Sequence, residues 1–457
     1  MNRTIDRKKI PAPGEYRPFH FPEYESFTIA NGLKVIHAPY GDLPLVSINL
    51  CIRTGALIEK EGREGLANFT SELLSEGTKS RSSVNIANEL EFLGAHLDIF
   101  SDWNATYVEI NTLKKHLESA MDVYADILFN PTFPEREFER IKKELLTDRL
   151  QGMDNPSKIA NERFAEFLYG DFRYARPLEG NENSLQNITL EEIRTFYLDQ
   201  YIPNNAVLVV VGDISRGEAE ELVKKYFSEW RRGTSVDFKV PEFKNPENTS
   251  VKLIHKEGAV QTELRIGHHG IERNHPDFYS VALMNEILGG YFLSRINMNL
   301  REEHGYTYGA GSKFNFRRGT GPFQISTAAD IRYTFETITE IFNEIREIQL
   351  AEVTDDEIQN SKGHLTGIFP VAFETADQIA LGLANIVVFD LPHDYYRTFR
   401  DKINKVTKED IRRAANKFIN PEQMFIVATT DRVKTEDRLR ELFDVTVYDI
   451  MGNKIDS

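Results

Sequence analysis

Apolar and polar positions alternate, or run apolar, over "GLKVIH" (32–37), "LVSINLCI" (45–52) and "ATYVEINT" (105–112), which predicts strands. In "HLESAMDVYADILF" (116–129) and "EREFERIKKELLTDRL" (135–150) the apolar residues recur every three to four positions, the period of a helix packed on one side. Strands follow strands directly and helices come in pairs. That order predicts an α+β architecture with mainly antiparallel sheets packed with helices, rather than a strict βαβ winding.

The pattern occurs twice. "ITLEEIRTFYLDQYIPNNAVLVVVGD" (188–213) matches "VTKEDIRRAANKFINPEQMFIVATTD" (406–431) at a constant offset of 218, from Thr189 and Thr407 through Pro203 and Pro421 to Asp213 and Asp431. In each copy a threonine with an acidic residue three positions on predicts a capping box, followed by a helix, a proline turn and a β-branched strand. Upstream, "PEREFERIKKELL" (134–146) pairs with "TDDEIQNSKGHLT" (354–366) at 220, and "SELLSEG" (71–77) with "NEILGGY" (285–291) at 214. A period this long is a duplicated domain, not a solenoid repeat. The division this suggests is an extension over 1–22, a first domain over 23–234, a polar, proline-bearing linker over 235–250 and a second domain over 251–457.

Composition narrows the function. The net charge is −16, so nucleic acid or an anionic membrane is not attracted by charge. The single cysteine, Cys51, rules out an intramolecular disulfide and a cysteine zinc cage, and its apolar strand predicts a small buried residue. No run reaches the ~18 apolar residues of a membrane span. The start, "MNRTIDRKKIPAPGEY", has no apolar h-region, which reads as cytoplasmic, with a periplasmic location the alternative had a signal been removed. The glycine-rich stretches "GAGSKFNF" and "GTGPF" fit neither nucleotide-loop pattern.

Chemistry is suggested by "GLANFTSELLSEGT" (65–78). Leu66, Phe69, Leu73 and Leu74 form one helical face, Gly77 suits a C-terminal stop, and Asn68 and Glu72, four apart, share another face beside Ser71. This helix resembles that of the pitrilysin-type metallopeptidases, the family of insulinase and the mitochondrial processing peptidase. There it reads G-x-A-H-F-x-E-H-x-x-x-x-G-T and holds zinc through an inverted H-x-x-E-H motif. The resemblance continues through "NELEFLGAHLDIFSDWNATYVEI", "ERIKKELLTDRLQGMDNP" and "LMNEILGGYFLSRINMNLREEHGYTYGAGSKF", in family order over nearly the whole chain.

The ligand positions do not match. The two histidine positions carry Asn68 and Glu72, and the general base position carries Ser71. The third ligand position, counted about 76 residues beyond Glu72, carries Asp148. An amide oxygen is a poor zinc donor, and a serine hydroxyl is far too weak a base to replace a carboxylate. The repeat offsets place Ala282, Asn285, Glu286 and Ile368 at the corresponding positions of the second domain, a poorer set. No catalytic residue, metal ligand or cofactor is therefore expected in this chain. Asn68, Glu72 and Asp148 together could offer hard oxygen donors to Ca²⁺ or Mg²⁺, against ordinary hydrogen bonding; Asp148, spaced from Ile141 and Leu145, should point toward packed structure.

The family's substrate-holding arginine and tyrosine match Arg301 and Tyr308 in "LREEHGYTYG", where a salt bridge to Glu302 or Glu303 and a packed ring are the alternative. His304 lies between them. His268, His269 and His275 sit, by the resemblance, at a strand-to-helix turn, and neighbouring strand histidines point to opposite faces. Gly289 and Gly290 suit a sharp turn. Taken together, the resemblance implies a non-catalytic subunit that binds peptide and closes a clam-shell chamber with a zinc-bearing partner of the same family carrying H-x-x-E-H. It leaves room for a homodimer without that partner. The alternatives are a structural core-type protein and an active peptidase with atypical ligands. No nucleic-acid or membrane partner is implied.

Overall fold

The computed structural model describes residues 19–234 and 238–455. Most of the expected extension, residues 1–18, and the start of the expected linker, 235–237, lie outside the described residues.

Each half builds a six-stranded mixed sheet. The first comprises β1 (Glu25–Thr28), β2 (Lys34–Pro39), β3 (Leu45–Ile52), β4 (His96–Ser101), β5 (Thr106–Leu113) and β6 (Ala206–Gly212), in the order β1-β2-β6-β3-β5-β4. The second comprises β7 (Ser250–His255), β8 (Gln261–His269), β9 (Thr307–Phe314), β10 (Pro322–Asp330), β11 (Phe425–Thr430) and β12 (Asp444–Tyr448), in the order β12-β7-β11-β8-β10-β9. The five inner-to-edge strands β2-β6-β3-β5-β4 correspond to β7-β11-β8-β10-β9, as the repeat requires. Among the described residues only β2–β6, β7–β11 and β7–β12 pair in parallel. The halves differ at the outer edge, where β1 adds antiparallel and β12 parallel.

Register follows the alternation. Ile48 stands opposite Ile110 and Val210, and Ile266 opposite Ile325 and Ile426, so each sheet buries a row of aliphatics against the helices of its own half. Both capping boxes form: Thr189 with Glu192 opens the helix Leu190–Gln200, and Thr407 with Asp410 opens Lys408–Phe418.

The opposite sheet faces are covered by exchange. Ile36, Ala38, Cys51, Val207, Val209 and Val211 pack under Ile379, Ala380, Leu383 and Ala384 of the helix Ala376–Val388, which belongs to the second half of the chain. Reciprocally, Ile159, Phe164 and Leu168 of the first half's helix Pro156–Tyr169 pack on Ile254 and Val427 of the second sheet. The two helices start 220 residues apart, the offset of the repeat. Cys51 is fully buried in this layer, which raises its thiol pKa.

Residues of the expected extension and the expected linker join the same packing. Phe21 stacks on Tyr396 at 5.0 Å and meets Phe373 edge-on at 5.1 Å. Phe243, in the stretch expected as linker, packs on Tyr169, Phe172 and His269. Among the described residues no single helix is long and apolar enough to cross a membrane. The bent pair Asp355–Phe373 and Ala376–Val388 passes a test of length and composition only, and the second of these is the sheet-covering helix above.

Candidate functional site

The metal-like helix spans Leu66–Leu73 and is fixed from both ends. Gly65, before it, has φ +93°, and a Cβ there would lie 2.5 Å from the Glu179 carbonyl oxygen, so only glycine fits. The Glu59 carboxylate accepts the orphan N–H groups of Gly65 (3.0 Å) and Ala67 (2.7 Å) and is itself held by Arg173 through Nε (2.8 Å) and Nη2 (2.6 Å). Burial raises the Glu59 pKa, with Arg173 and the two amides pulling against it. Phe69 stacks on Phe138 at 5.0 Å, binding this helix to Glu135–Gly152. The chain ends the helix earlier than its sequence suggested. Gly77 is not the stop; it lies beyond Leu74, in a bridge to Ser82.

On this frame the ligand positions diverge. Ser71 is buried, and its hydroxyl donates to the Asn68 carbonyl (2.7 Å), a bond within the helix. Asn68 is half-buried. Glu72 sits on the outer side of the helix, where desolvation first, and then the carboxylates of Glu76, Glu144, Asp148 and Asp98, raise its pKa. Two of those neighbours are taken by Arg140, which pairs with Glu76 at 2.8 Å and Glu144 at 2.9 Å. Asp148 is exposed, contrary to the expectation that it points into packed structure: it shares the helix face of Ile141, but that face is buried only at Phe138 and Ile141, half-covered at Leu145 and open by Asp148. Among the described residues no group of three or more His, Cys, Asp and Glu side chains converges as a metal site. With a carboxamide, a hydroxyl spent on the backbone and no imidazole on the helix, these residues do not fit zinc.

In the second half the equivalent positions are structural. Glu286 is buried and pairs with His364, which the offset of 220 places where Glu144 stands in the first half. Asn285 donates through Nδ2 to the Ser312 carbonyl (3.0 Å) and accepts from its hydroxyl (2.9 Å). Ala282 is half-buried and Ile368 exposed. The segment Glu286–Gly290 is a π-helical turn, and a Cβ on Gly289 would meet the Ser312 nitrogen at 2.5 Å, so that glycine admits β9.

Arg301 lies in a second π-helical turn, Met298–Glu303, and Tyr308 at the start of β9, the edge strand of its sheet. Tyr308 is 91% exposed, so its ring is not packed. Arg301 contacts Glu302 at 3.2 Å and lies over the Phe292 ring at 4.7 Å, with two-fifths of its side chain exposed. Phe292 and Leu293 are each 55% exposed beside it. Buried Asn297 ties these parts together: its Nδ2 donates to the Phe292 carbonyl (2.7 Å) and its Oδ1 accepts from the Ala310 N–H of β9 (3.1 Å). Asn297, Phe292 and Leu293 were not singled out from sequence; two large apolar residues one position beyond the Gly289–Gly290 pair were the available signal. His304 is exposed and stacks on Tyr306 at 4.9 Å.

The other histidines are held by structure. His268 and His269 end β8. His268 accepts the Asn420 N–H at Nε2 (3.0 Å), and burial lowers both imidazoles to about 4. His275 accepts the Asp277 N–H (3.0 Å) in the turn before the helix Phe278–Asn285.

Comparison with known proteins agrees with this geometry. Residues 39–182 match the insulinase (peptidase family M16) model and residues 187–365 the peptidase M16 inactive domain model. An uncharacterized zinc protease, YmxG, of Bacillus subtilis (strain 168) is 26% identical over 354 residues, 77% of this chain and 85% of that one. A non-peptidase homolog YmxG of Helicobacter pylori is 22% identical over 377 residues, 81% and 85% of the two chains. The crystal structure of a peptidase M16 inactive domain from Pseudomonas fluorescens superposes with a TM-score of 0.84 at 27% identity, covering 89% of this chain and 98% of that one. The chain, with its duplicated sheets and its altered metal helix, belongs to peptidase family M16.

Proposed function

We propose that this chain is a non-catalytic M16 subunit that binds peptide for a catalytic member of the family. The partner would carry H-x-x-E-H and its zinc, and the two chains would close a clam-shell chamber with Arg301 and Tyr308 facing the partner's metal. The observation that carries the reading is a contrast within one chain. The helix Leu66–Leu73 keeps its packing face, Phe69 and Leu73 fully buried, while Asn68, Ser71 and Glu72 offer neither the two imidazoles nor a carboxylate at the base position that the family's hydrolysis uses. The Arg301–Tyr308 surface, by contrast, stays open, with Tyr308 exposed at the start of the edge strand β9. There Arg301 would grip a peptide carbonyl through its planar donors, and Tyr308 would supply an aromatic wall. The relatives' names, one a non-peptidase homolog and others zinc proteases, suit a family in which both kinds of chain occur.

The test is reconstitution. The purified chain is expected to hold no stoichiometric zinc and to cleave no peptide alone, and to become part of an active complex with a catalytic M16 chain from its own organism. Arg301→Ala and Tyr308→Ala should each lower kcat/KM of that complex about tenfold or more, ~1.4 kcal/mol of transition-state stabilisation. Zinc and cleavage in the isolated chain would overturn the proposal. A complex indifferent to both variants would instead assign the chain a scaffold role.

A further inference from the structure

Where the two halves meet lies a cleft of about 630 Å³, within the range of small-molecule sites. Its lining includes neither the altered metal helix nor Arg301 and Tyr308. The walls come from the start of the exchanged helix Pro156–Tyr169, from Trp103 and Tyr174 of the first half, and from Arg317 and Gln324 of the second.

Arg317 is the unusual group. Its guanidinium carbon lies 4.2 Å from the Tyr174 ring, 4.6 Å from Trp103 and 5.4 Å from Tyr169, so aromatic rings hold it on several sides. Among the described residues its side chain has no salt bridge to a carboxylate, and its Nη1 is buried without a hydrogen-bond partner. Asp102, whose charge it senses, uses Oδ1 to accept from the N–H groups of Asn104 (2.6 Å) and Ala105 (2.8 Å). A guanidinium held among aromatic rings, with a donor left unpartnered and no carboxylate paired to it, is a group that can receive a carboxylate through charge-assisted hydrogen bonds.

The surroundings favour an anion. Lys158 lines the same cleft. Asn161 accepts from Arg265 Nε (2.6 Å) and Gln324 Nε2 (3.2 Å) through its oxygen, which leaves its amide N–H groups as donors. Of the two carboxylates on the wall, Glu162 is neutralised by Arg149 and Glu179 lies on the exposed rim. Arg317 and Lys158, neither in an ion pair among the described residues, thus line one cleft in a chain of net charge −16.

We propose that this cleft binds the carboxylate of a small ligand, either the C-terminal group of a short peptide or a free carboxylic acid. Arg317 receives the carboxylate, and Lys158 and Asn161 add charge and donors. The site does not depend on the chain having a catalytic partner.

Calorimetry on the full chain tests it, with an acetylated tripeptide acid, the same peptide as its amide, succinate and inorganic phosphate as probes. The acid should bind at least tenfold more tightly than the amide, Arg317→Gln should weaken it at least tenfold, and Lys158→Met severalfold. If Arg317→Gln disturbs the aromatic stack and the fold, the acid-to-amide ratio on the parent chain and Lys158→Met, at the outer wall, still decide. Tighter binding of the tripeptide acid than of succinate assigns a peptide terminus, and equal binding a free acid; either supports the site. Equal binding of acid and amide, binding of phosphate alone, no binding of either carboxylate, or an Arg317→Gln chain as tight as the parent would overturn it.

Discussion

Glu109 on β5 stands opposite Asn49 on β3 and Asp98 on β4, and Asn49 donates its amide to the Glu109 carboxyl. Burial first, then the charges of Asp98 and Asp377, raise its pKa to about 7. The folded chain therefore binds a proton here that the unfolded chain has released, over the window from about 4.5 to about 7. This group favours folding fully below that window, and its contribution is lost as pH rises through it. Discounted for the part of the side chain that remains in water, the effect is about 1–2 kcal/mol. Glu109→Gln keeps an acceptor for Asn49 and removes the titration. In urea unfolding the variant should approach the parent near pH 4 and exceed its stability by that amount at pH 8. Titration of other groups, such as the depressed imidazoles of His268 and His269, cancels between the two proteins. An equal pH dependence in both would show that Glu109 is not the titrating group. Residue identity alone was enough to read Asn68, Ser71 and Glu72 as unfit for zinc. The condition of Glu109 was not legible, because it is set by strands 60 residues apart in sequence and by Asp377 from the other half.

The repeat announced a duplicated domain, and the capping boxes fixed the starts of Leu190–Gln200 and Lys408–Phe418, but the sequence reading picked out neither the helices Pro156–Tyr169 and Ala376–Val388 nor the sheet that each would cover. An apolar helical face reads the same whether it packs on its own half or the other. The answer lay in the sheets: β6, "AVLVVVG", is buried on both faces, and so requires a second covering layer that its own half does not supply. Leu383→Ala, in the second half, removes a fully buried side chain from that layer and should cost about 2–5 kcal/mol. Its distinctive consequence is location. Hydrogen exchange should quicken in β3 and β6 of the first half, against which Leu383 packs, as well as in its own helix. Quickening confined to the second half would contradict the exchanged packing.

At the scale of the molecule, exchange makes each half incomplete. Without the second half, Ile36, Ala38, Val207, Val209 and Val211 lose their cover, and the helix Pro156–Tyr169 loses the sheet that buries Ile159, Phe164 and Leu168. Side chains of this kind contribute roughly 1.5–3 kcal/mol each on burial, so the uncovered set outweighs the ~5–15 kcal/mol that holds an ordinary domain together. The duplicated unit visible in sequence is thus a unit of descent but not of folding. Cutting the chain between residues 235 and 236 tests this directly. Neither fragment alone should show a cooperative unfolding transition; each should bind a hydrophobic dye and tend to aggregate. Refolded together, the two should recover one transition and the near-ultraviolet dichroism of the intact chain, since the exchanged helices hold them without a covalent link. Either fragment folding alone with a sharp transition would mean that the helix it lends out can turn back onto its own sheet, and that the junction, with the cleft around Arg317, forms only after both halves are complete.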